Sequence, residues 1–107
     1  MNESTIREDN YLAAVDDDAF LRLIVAAANS RRADRAYPVQ IDESGANLMC
    51  FGDNSQVTVY ARWTDAAQRQ FSRLVLILKL REIAYELRPC PDAEAPRERR
   101  LRFVVPA

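Results

Sequence analysis

Few residues of this sequence combine the chemistry and the spacing that catalysis needs. The chain contains no His, so the commonest general base and every Ser–His or Cys–His nucleophile pair are absent. The remaining candidates are carboxylates: Asp53 and Asp65 flank a predicted strand, and Glu82 and Glu86 are close in sequence. Hydrolysis by two carboxylates requires a set distance between them, and no spacing here imposes one. We therefore predict that the protein is not an enzyme.

Two further patterns contain ligand-type residues, and each is more typical of a structural role. The triplet Asp16-Asp17-Asp18 offers the oxygens that hard cations prefer. It precedes an apolar run, however, where acidic residues cap a helix and complement its dipole. The pair Cys90-Pro91 can present a thiolate to haem iron, but it lies in a proline-rich segment that predicts a loop. The sequence therefore predicts no metal and no cofactor.

Two arginine clusters raise the alternative of a nucleic-acid-associated regulator. They comprise Arg31, Arg32 and Arg35, and Arg97, Arg99, Arg100 and Arg102. Tyr37 or Phe103 would supply a ring for stacking on bases nearby. The competing interpretation is a solvated helix end and a charged strand edge. The net charge of −1 provides no overall basic field for a polyanion, so we expect nucleic-acid binding to be the less favoured function.

The best candidates for a binding role are Tyr60, Arg62 and Trp63. Tyr, Arg and Trp are the residue types enriched in protein-binding hot spots. Tyr60 and Arg62 alternate with Val59 and Ala61, so they face outward if the apolar positions face the core. We predict that these three residues contact a partner protein, although one aromatic residue on an open sheet face is also an ordinary surface feature.

These residues must be positioned by short elements with clear periodicity. The capping-box spacing of Thr5 and Glu8 predicts a short helix that turns Tyr11, Leu12 and Val15 inward. The other predicted elements are a helix over about 17–30, strands over 37–41, 46–51 and 55–63, a helix from 65 to about 82, and strands over 83–87 and 101–105. Residues 73–88 also fit a continuous helix, and that alternative stays open. Asp65 and Gln68 have the spacing of a capping box for the second main helix.

The predicted fold class is α+β: a two-layer sandwich in which an antiparallel sheet packs against two main helices. The sheet combines a three-strand meander with C-terminal strands. Phe20, Ile24, Phe71 and Leu74 are the expected core of the helices. A length of 107 residues suits a single domain spanning 1–107.

Composition and the N-terminal sequence predict a cytoplasmic protein of bacterial or phage origin. The first residues lack the pattern of a signal peptide, so we expect Cys50 and Cys90 to be reduced. Cys50 lies in an apolar run and is predicted to be buried. The function predicted is that of a small non-enzymatic protein that binds a partner protein, as an inhibitor, immunity protein or adaptor does. The run 74–80 has more apolar positions than one helix face needs, which favours a homodimer.

Overall fold

Five strands and two helices make up the part of the chain that the computed structural model describes, residues 11–29, 37–52, 56–62, 64–88 and 99–105. A 3-10 turn at Leu12–Ala14 is followed by α1 (Asp17–Ala28), β1 (Tyr37–Gln40), β2 (Asn47–Gly52), β3 (Gln56–Ala61), α2 (Asp65–Leu80), β4 (Tyr85–Arg88) and β5 (Arg99–Val104). The predicted capping box at Thr5 and Glu8 and the predicted loop over 89–96 lie outside the described residues. Within the described ranges, neither helix is long and apolar enough to cross a membrane.

The predicted α+β class is confirmed, because an antiparallel sheet packs against both helices in two layers. The strand order is β1-β2-β3-β5-β4, and β1 to β3 form the predicted meander. β5 inserts between β3 and β4, with Leu101 opposite Val59 on one side and Leu87 on the other. The interpretation of the second arginine cluster as a charged strand edge is therefore wrong, since β5 is an interior strand.

The core lies between the helices and one face of the sheet. Phe20 and Ile24 of α1 and Phe71 and Leu74 of α2 are buried, as predicted. Their partners on the strands alternate with outward-facing residues, as period-2 geometry requires. The buried strand residues are Val39, Leu48, Cys50, Val57, Val59, Ala61, Leu101 and Phe103.

Each helix begins at a side chain that caps it. The Asp16 carboxylate accepts a hydrogen bond from the Ala19 amide at 2.8 Å, which confirms the capping role of the acidic triplet. The cap of α2 is Thr64, whose hydroxyl accepts from the Ala67 amide at 3.2 Å. The capping box predicted from Asp65 and Gln68 is wrong. Gln68 instead donates its side-chain amide to the carbonyl of Arg62 at 2.6 Å, outside the helix.

Residues 73–88 form a helix and then a strand, as predicted, and not the continuous helix that the sequence left open as the alternative. Glu82 follows the end of α2 with φ 56°, in the left-handed region. The amide of Glu82 donates to the carbonyl of Lys79 at 3.1 Å, and that of Ile83 to the carbonyl of Leu78 at 2.9 Å. These two bonds are a Schellman motif, which satisfies the last carbonyls of a helix. Here it ends a helix without Gly or Pro.

The hairpin turn between β1 and β2 is held by a local side-chain network. The Asp42 carboxylate accepts from the Ser44 amide at 2.9 Å and from the Ser44 hydroxyl. Both hydrogen bonds lower the pKa of Asp42, the hydroxyl bond contributing most. Gly45 adopts φ 89° in the same turn, a conformation that residues with a Cβ rarely take.

Arg73 of α2 fastens the N-terminal segment to the helical layer. Its guanidinium donates to the carbonyls of Leu12 and Val15, each at 2.7 Å, and to the Asp17 carboxylate at 3.0 Å. It also lies over the ring of Phe20, with its carbon 4.6 Å from the ring centre. One side chain therefore satisfies two backbone carbonyls and covers the core.

Candidate functional site

The face of the sheet opposite the helices carries the largest group of residues suited to binding. We call it the open face, defined by the side chains that alternate with the buried ones. Its central members are Met49 and Phe51 of β2, Thr58 and Tyr60 of β3, and Arg100 and Arg102 of β5. All six are partly accessible to solvent. The helices cover the other face, so these side chains are not needed to fill the core between the layers.

Tyr60 is the centre of the open face. In the sheet register it stands opposite Met49 on one side and Arg100 on the other. Its ring meets that of Phe51 edge to face, with centroids 5.9 Å apart and an angle of 70° between the planes. The guanidinium carbon of Arg100 lies 5.8 Å from the centre of the Tyr60 ring. Aromatic and cation–π contacts therefore orient Tyr60 from two neighbouring strands.

The two arginines of the open face differ in their polar contacts. Arg102 stands opposite Thr58 and lies 3.8 Å from the Glu86 carboxylate. The Nε atom of Arg100 is buried, and it has no hydrogen-bond partner among the described residues. A buried donor without a partner costs free energy.

The open face is equipped for recognition of polar and apolar groups together. Met49, Phe51 and Tyr60 supply apolar and aromatic area, and a guanidinium supplies a planar set of donors for carboxylate or carbonyl oxygens. Among the described residues, no group of three or more Cys, Asp or Glu is placed to hold a metal ion. Burial raises the pKa of the Cys50 thiol to about 12, which leaves little thiolate to act as a nucleophile.

The structure places the predicted binding residues unequally. Tyr60 lies on the open face, as its alternation indicates. Arg62 follows the end of β3 with an exposed side chain, and its carbonyl accepts the hydrogen bond from Gln68. Trp63 lies outside the described residues. The binding role of all three stays a prediction.

Sequence reasoning did not assign Phe51 or Arg100 to the neighbourhood of Tyr60. The pattern of β5 contained a usable signal, because Arg100 and Arg102 alternate with the apolar Leu101 and Phe103. That alternation places both arginines on one face. It does not reveal which strand pairs with β5, and the contact with Tyr60 depends on that pairing.

The arginine clusters are not assembled into one basic surface by the described residues. Arg99 turns to the helical side, where it lies 4.5 Å from the centre of the Phe71 ring and donates to the Ser72 hydroxyl. Phe103 is buried, so its predicted role in stacking on bases is wrong. Tyr37 is exposed. The other clustered arginines, Arg31, Arg32, Arg35 and Arg97, lie outside the described residues.

The chain matches no family model, no curated protein and no solved structure. The geometry of the open face is therefore the basis on which a function is proposed.

Proposed function

We propose that this chain is a non-enzymatic protein of bacterial or phage origin that binds a partner protein in the cytoplasm through its open face. It acts by occupying the partner's surface, as an inhibitor, immunity protein or adaptor does. The observation that carries the proposal is the cluster of Tyr60, Phe51 and Arg100 on the side of the sheet that the helices leave uncovered. Tyr and Arg dominate the energetics of protein interfaces when they lie at the centre of a packed patch.

The chemistry of the open face indicates the kind of partner surface that it fits. The edge-to-face pair of Tyr60 and Phe51 presents apolar area that already has a fixed orientation, so little side-chain entropy is lost on binding. Arg100 is partly accessible, and a guanidinium offers N–H donors to an acceptor such as a carboxylate or a backbone carbonyl. A complementary partner therefore offers an apolar patch beside an acidic side chain or an exposed carbonyl.

The contacts around Tyr60 favour a protein over a nucleic acid. A base that stacks on Tyr60 needs a free ring face, whereas the guanidinium of Arg100 lies over that ring and Phe51 meets it edge to face. The two arginines of the open face would contribute only about two phosphate contacts, which gives a shallow dependence of affinity on salt.

The test is a set of substitutions on the open face, with the partner first isolated from the source cells by affinity capture and mass spectrometry. Tyr60→Ala and Arg100→Ala are each expected to weaken binding about 5- to 30-fold, in line with the loss of a moderate hot spot. Arg62→Ala is expected to weaken binding to a similar extent, because Arg62 is a predicted partner contact. Tyr60→Phe keeps the ring and serves as the matched control. Thermal unfolding of each variant confirms that the fold is intact.

Two results would contradict this proposal. One is retention of full affinity for the purified partner by both Tyr60→Ala and Arg100→Ala. The other is recovery of nucleic acid in place of protein, with binding that falls steeply as salt is added. The second result would support the nucleic-acid regulator instead.

We also propose that the chain forms a homodimer. The support is the exposure of Leu76 and Leu80 on α2, which the helical pattern leaves outside the core. Small domains gain apolar burial by self-association. Sedimentation at micromolar concentration is expected to give a mass above the 12.2 kDa of one chain.

A further inference from the structure

We propose that the open face binds an acidic amphipathic helix of the partner protein, which lies along β3 with its apolar side over β2 and its acidic side over β5. This inference rests on the proposed function of the open face, and it adds the form and the charge of the partner segment. Its basis is the order in which the strand register sets apolar and cationic side chains across the sheet.

The register divides the open face into an apolar half and a cationic half. Two adjacent rows of three residues cross β2, β3 and β5 in that order: Met49, Tyr60 and Arg100 form one row, and Phe51, Thr58 and Arg102 form the next. In both rows the β2 residue is apolar and the β5 residue is an arginine. We call Met49 and Phe51 the apolar line, and Arg100 and Arg102 the arginine line.

The two lines set the spacings that a partner segment has to match. They are separated by two strand spacings, which amounts to about 10 Å. Along each line the two side chains are two residues apart on a strand, which is about 6.8 Å. Between the lines, β3 carries the small side chain of Thr58 and the ring of Tyr60, which is already packed against Phe51 and Arg100.

The charges on the arginine line favour an acidic partner. Glu86 of β4 stands opposite Arg102 and lies 3.8 Å from its guanidinium, so it offsets one of the two positive charges. Arg100 is partly accessible and forms no ion pair with the described residues. One positive charge therefore remains on the side of β3 away from the apolar line. A carboxylate of the partner complements this charge, and a guanidinium binds carboxylates through its N–H donors.

A helix along β3 reaches both lines, whereas one extended segment does not. The side chains that an extended segment turns toward the sheet form one line. Such a segment reaches one line when it runs along the strands and one row when it crosses them. A helix is about 10–12 Å across with its side chains, and its residues four positions apart are about 5–6 Å from each other. Apolar residues at i and i+4, each followed by an acidic residue, make two lines about 100° apart around the helix.

Three synthetic peptides of about 13 residues test the form and the charge of the occupant against the full chain. The length matches β3, whose six residues span about 20 Å. The first peptide is a stapled helix with Leu at i and i+4 and Glu after each Leu. The second is the same helix with Lys in place of each Glu. The third has the composition of the first in an alternating apolar and acidic order, which favours an extended form.

The helical Glu peptide is expected to bind at least about 5-fold more tightly than either of the other two peptides. It alone presents leucines to the apolar line and carboxylates to the arginine line at the same time. The measurement is a titration followed by NMR, with the methyl carbons of methionine labelled with carbon-13. The chain has two methionines, and the methyl signal of Met49 reports contact with the apolar line.

Charge reversal separates the arginine line from general electrostatic attraction. Arg100→Glu leaves Arg102 between two acidic residues, so the Lys peptide is expected to bind about 5-fold more tightly than the Glu peptide. Arg22→Glu is the matched control, because Arg22 is exposed on α1 and the change in net charge is the same. This control is expected to keep the preference of the wild type for Glu. Phe51→Ala is expected to weaken both helical peptides alike, and thermal unfolding verifies the fold of each variant.

Several outcomes would overturn the helical, acidic occupant. They are equal binding of the Glu and Lys peptides by the wild type, tighter binding of the extended peptide, and no saturable shift of Met49 with the helical Glu peptide. Tighter binding of a single-stranded oligonucleotide would identify the occupant as a nucleic acid. A shift of Met49 when the chain alone is concentrated would identify it as a second copy.

The proposed function is judged separately, by the affinity of the isolated partner for Tyr60→Ala and Arg100→Ala. Weaker partner binding by these variants, together with failure of the helical Glu peptide, would exclude the helix and leave partner binding by the open face standing. Unchanged partner binding would exclude the proposed function, whatever the peptides do.

Discussion

The two faces of the sheet are built from the same strands and carry opposite chemistry. On the helical side, Val57, Val59 and Ala61 of β3 are fully buried. Between them on the same strand, Thr58 and Tyr60 belong to the open face, beside the arginines of β5. The comparison shows that core positions and solvent-accessible positions are separated by a single residue step along each strand. The open face is therefore free to carry binding residues without loss of core packing.

The arginines of β5 and α2 also differ between the two faces of the sheet, in the polar partners that they have. Arg73 and Arg99 lie on the helical side, over the rings of Phe20 and Phe71, where they close the edges of the core. Arg100 lies beside Tyr60 on the open face. Arginines on the helical side have carbonyl, carboxylate or hydroxyl partners within the protein, whereas the Nε of Arg100 has none among the described residues.

The largest expected effect separates aromatic residues of the two faces. Phe71→Ala is expected to lower the free energy of unfolding by roughly 3–5 kcal/mol, because it leaves a cavity in a packed core. Tyr60→Ala removes an edge-to-face contact on the open face, and its expected cost is about 1 kcal/mol. Denaturant titration of both variants provides the comparison. Similar losses would show that the open face is also part of the stabilising core.

Neighbouring residues of β2 provide a chemical test of the difference in solvent access between the two faces of the sheet. Cys50 is fully buried on the helical side, and burial raises the pKa of its thiol to about 12. Met49 lies on the open face. In a Cys90→Ser background, a thiol reagent at pH 8 is expected to label Met49→Cys at least about 100-fold faster than Cys50, whose thiolate forms mainly when the chain unfolds. The relevant measurement is site-resolved labelling by mass spectrometry.

The pH dependence of Cys50 has a defined sign. Its pKa in the folded protein, about 12, exceeds the unfolded value of 9.0. The stabilising effect of the neutral thiol is therefore complete below pH 9.0 and is lost between pH 9.0 and about 12. Labelling of Cys50 at the rate of Met49→Cys at pH 8 would contradict its placement in the core.

A smaller effect is expected from arginines of the two faces. Arg73→Ala removes two hydrogen bonds to backbone carbonyls and one to Asp17, for an expected loss of about 2–3 kcal/mol in unfolding free energy. Arg73→Lys keeps the charge but not the planar set of donors, so it is expected to recover only part of the loss. Arg102→Ala removes an exposed ion pair with Glu86 and is expected to cost less than about 1 kcal/mol. Equal losses of unfolding free energy for Arg73→Ala and Arg102→Ala, measured by thermal or chemical unfolding, would contradict this difference between the arginines of the two faces.

Local signals in the sequence determined most of the elements of this protein. Alternation along β3 predicted that Val57 and Val59 face the core and that Tyr60 faces away. The stripe of apolar residues in each helix predicted the burial of Phe20 and Phe71. These predictions were confirmed because period 2 and period 3.6 follow from backbone geometry alone. Asp16, the first residue of the acidic triplet, caps α1 for the same reason, since capping depends on residues three positions apart.

Only the tertiary structure decided how α2 ends and which strands meet. The helix ends at a Schellman motif with Glu82 in the left-handed region, a position where Gly is the usual signal. β5 pairs with both β3 and β4, and this placement brings Arg100 to Tyr60 and leaves β4 at the edge. Pairing between strands that are distant in sequence depends on which apolar faces pack together under the helices. The sequence by itself determined which residues each strand exposes, and the packing of the layers decided which of those residues become neighbours.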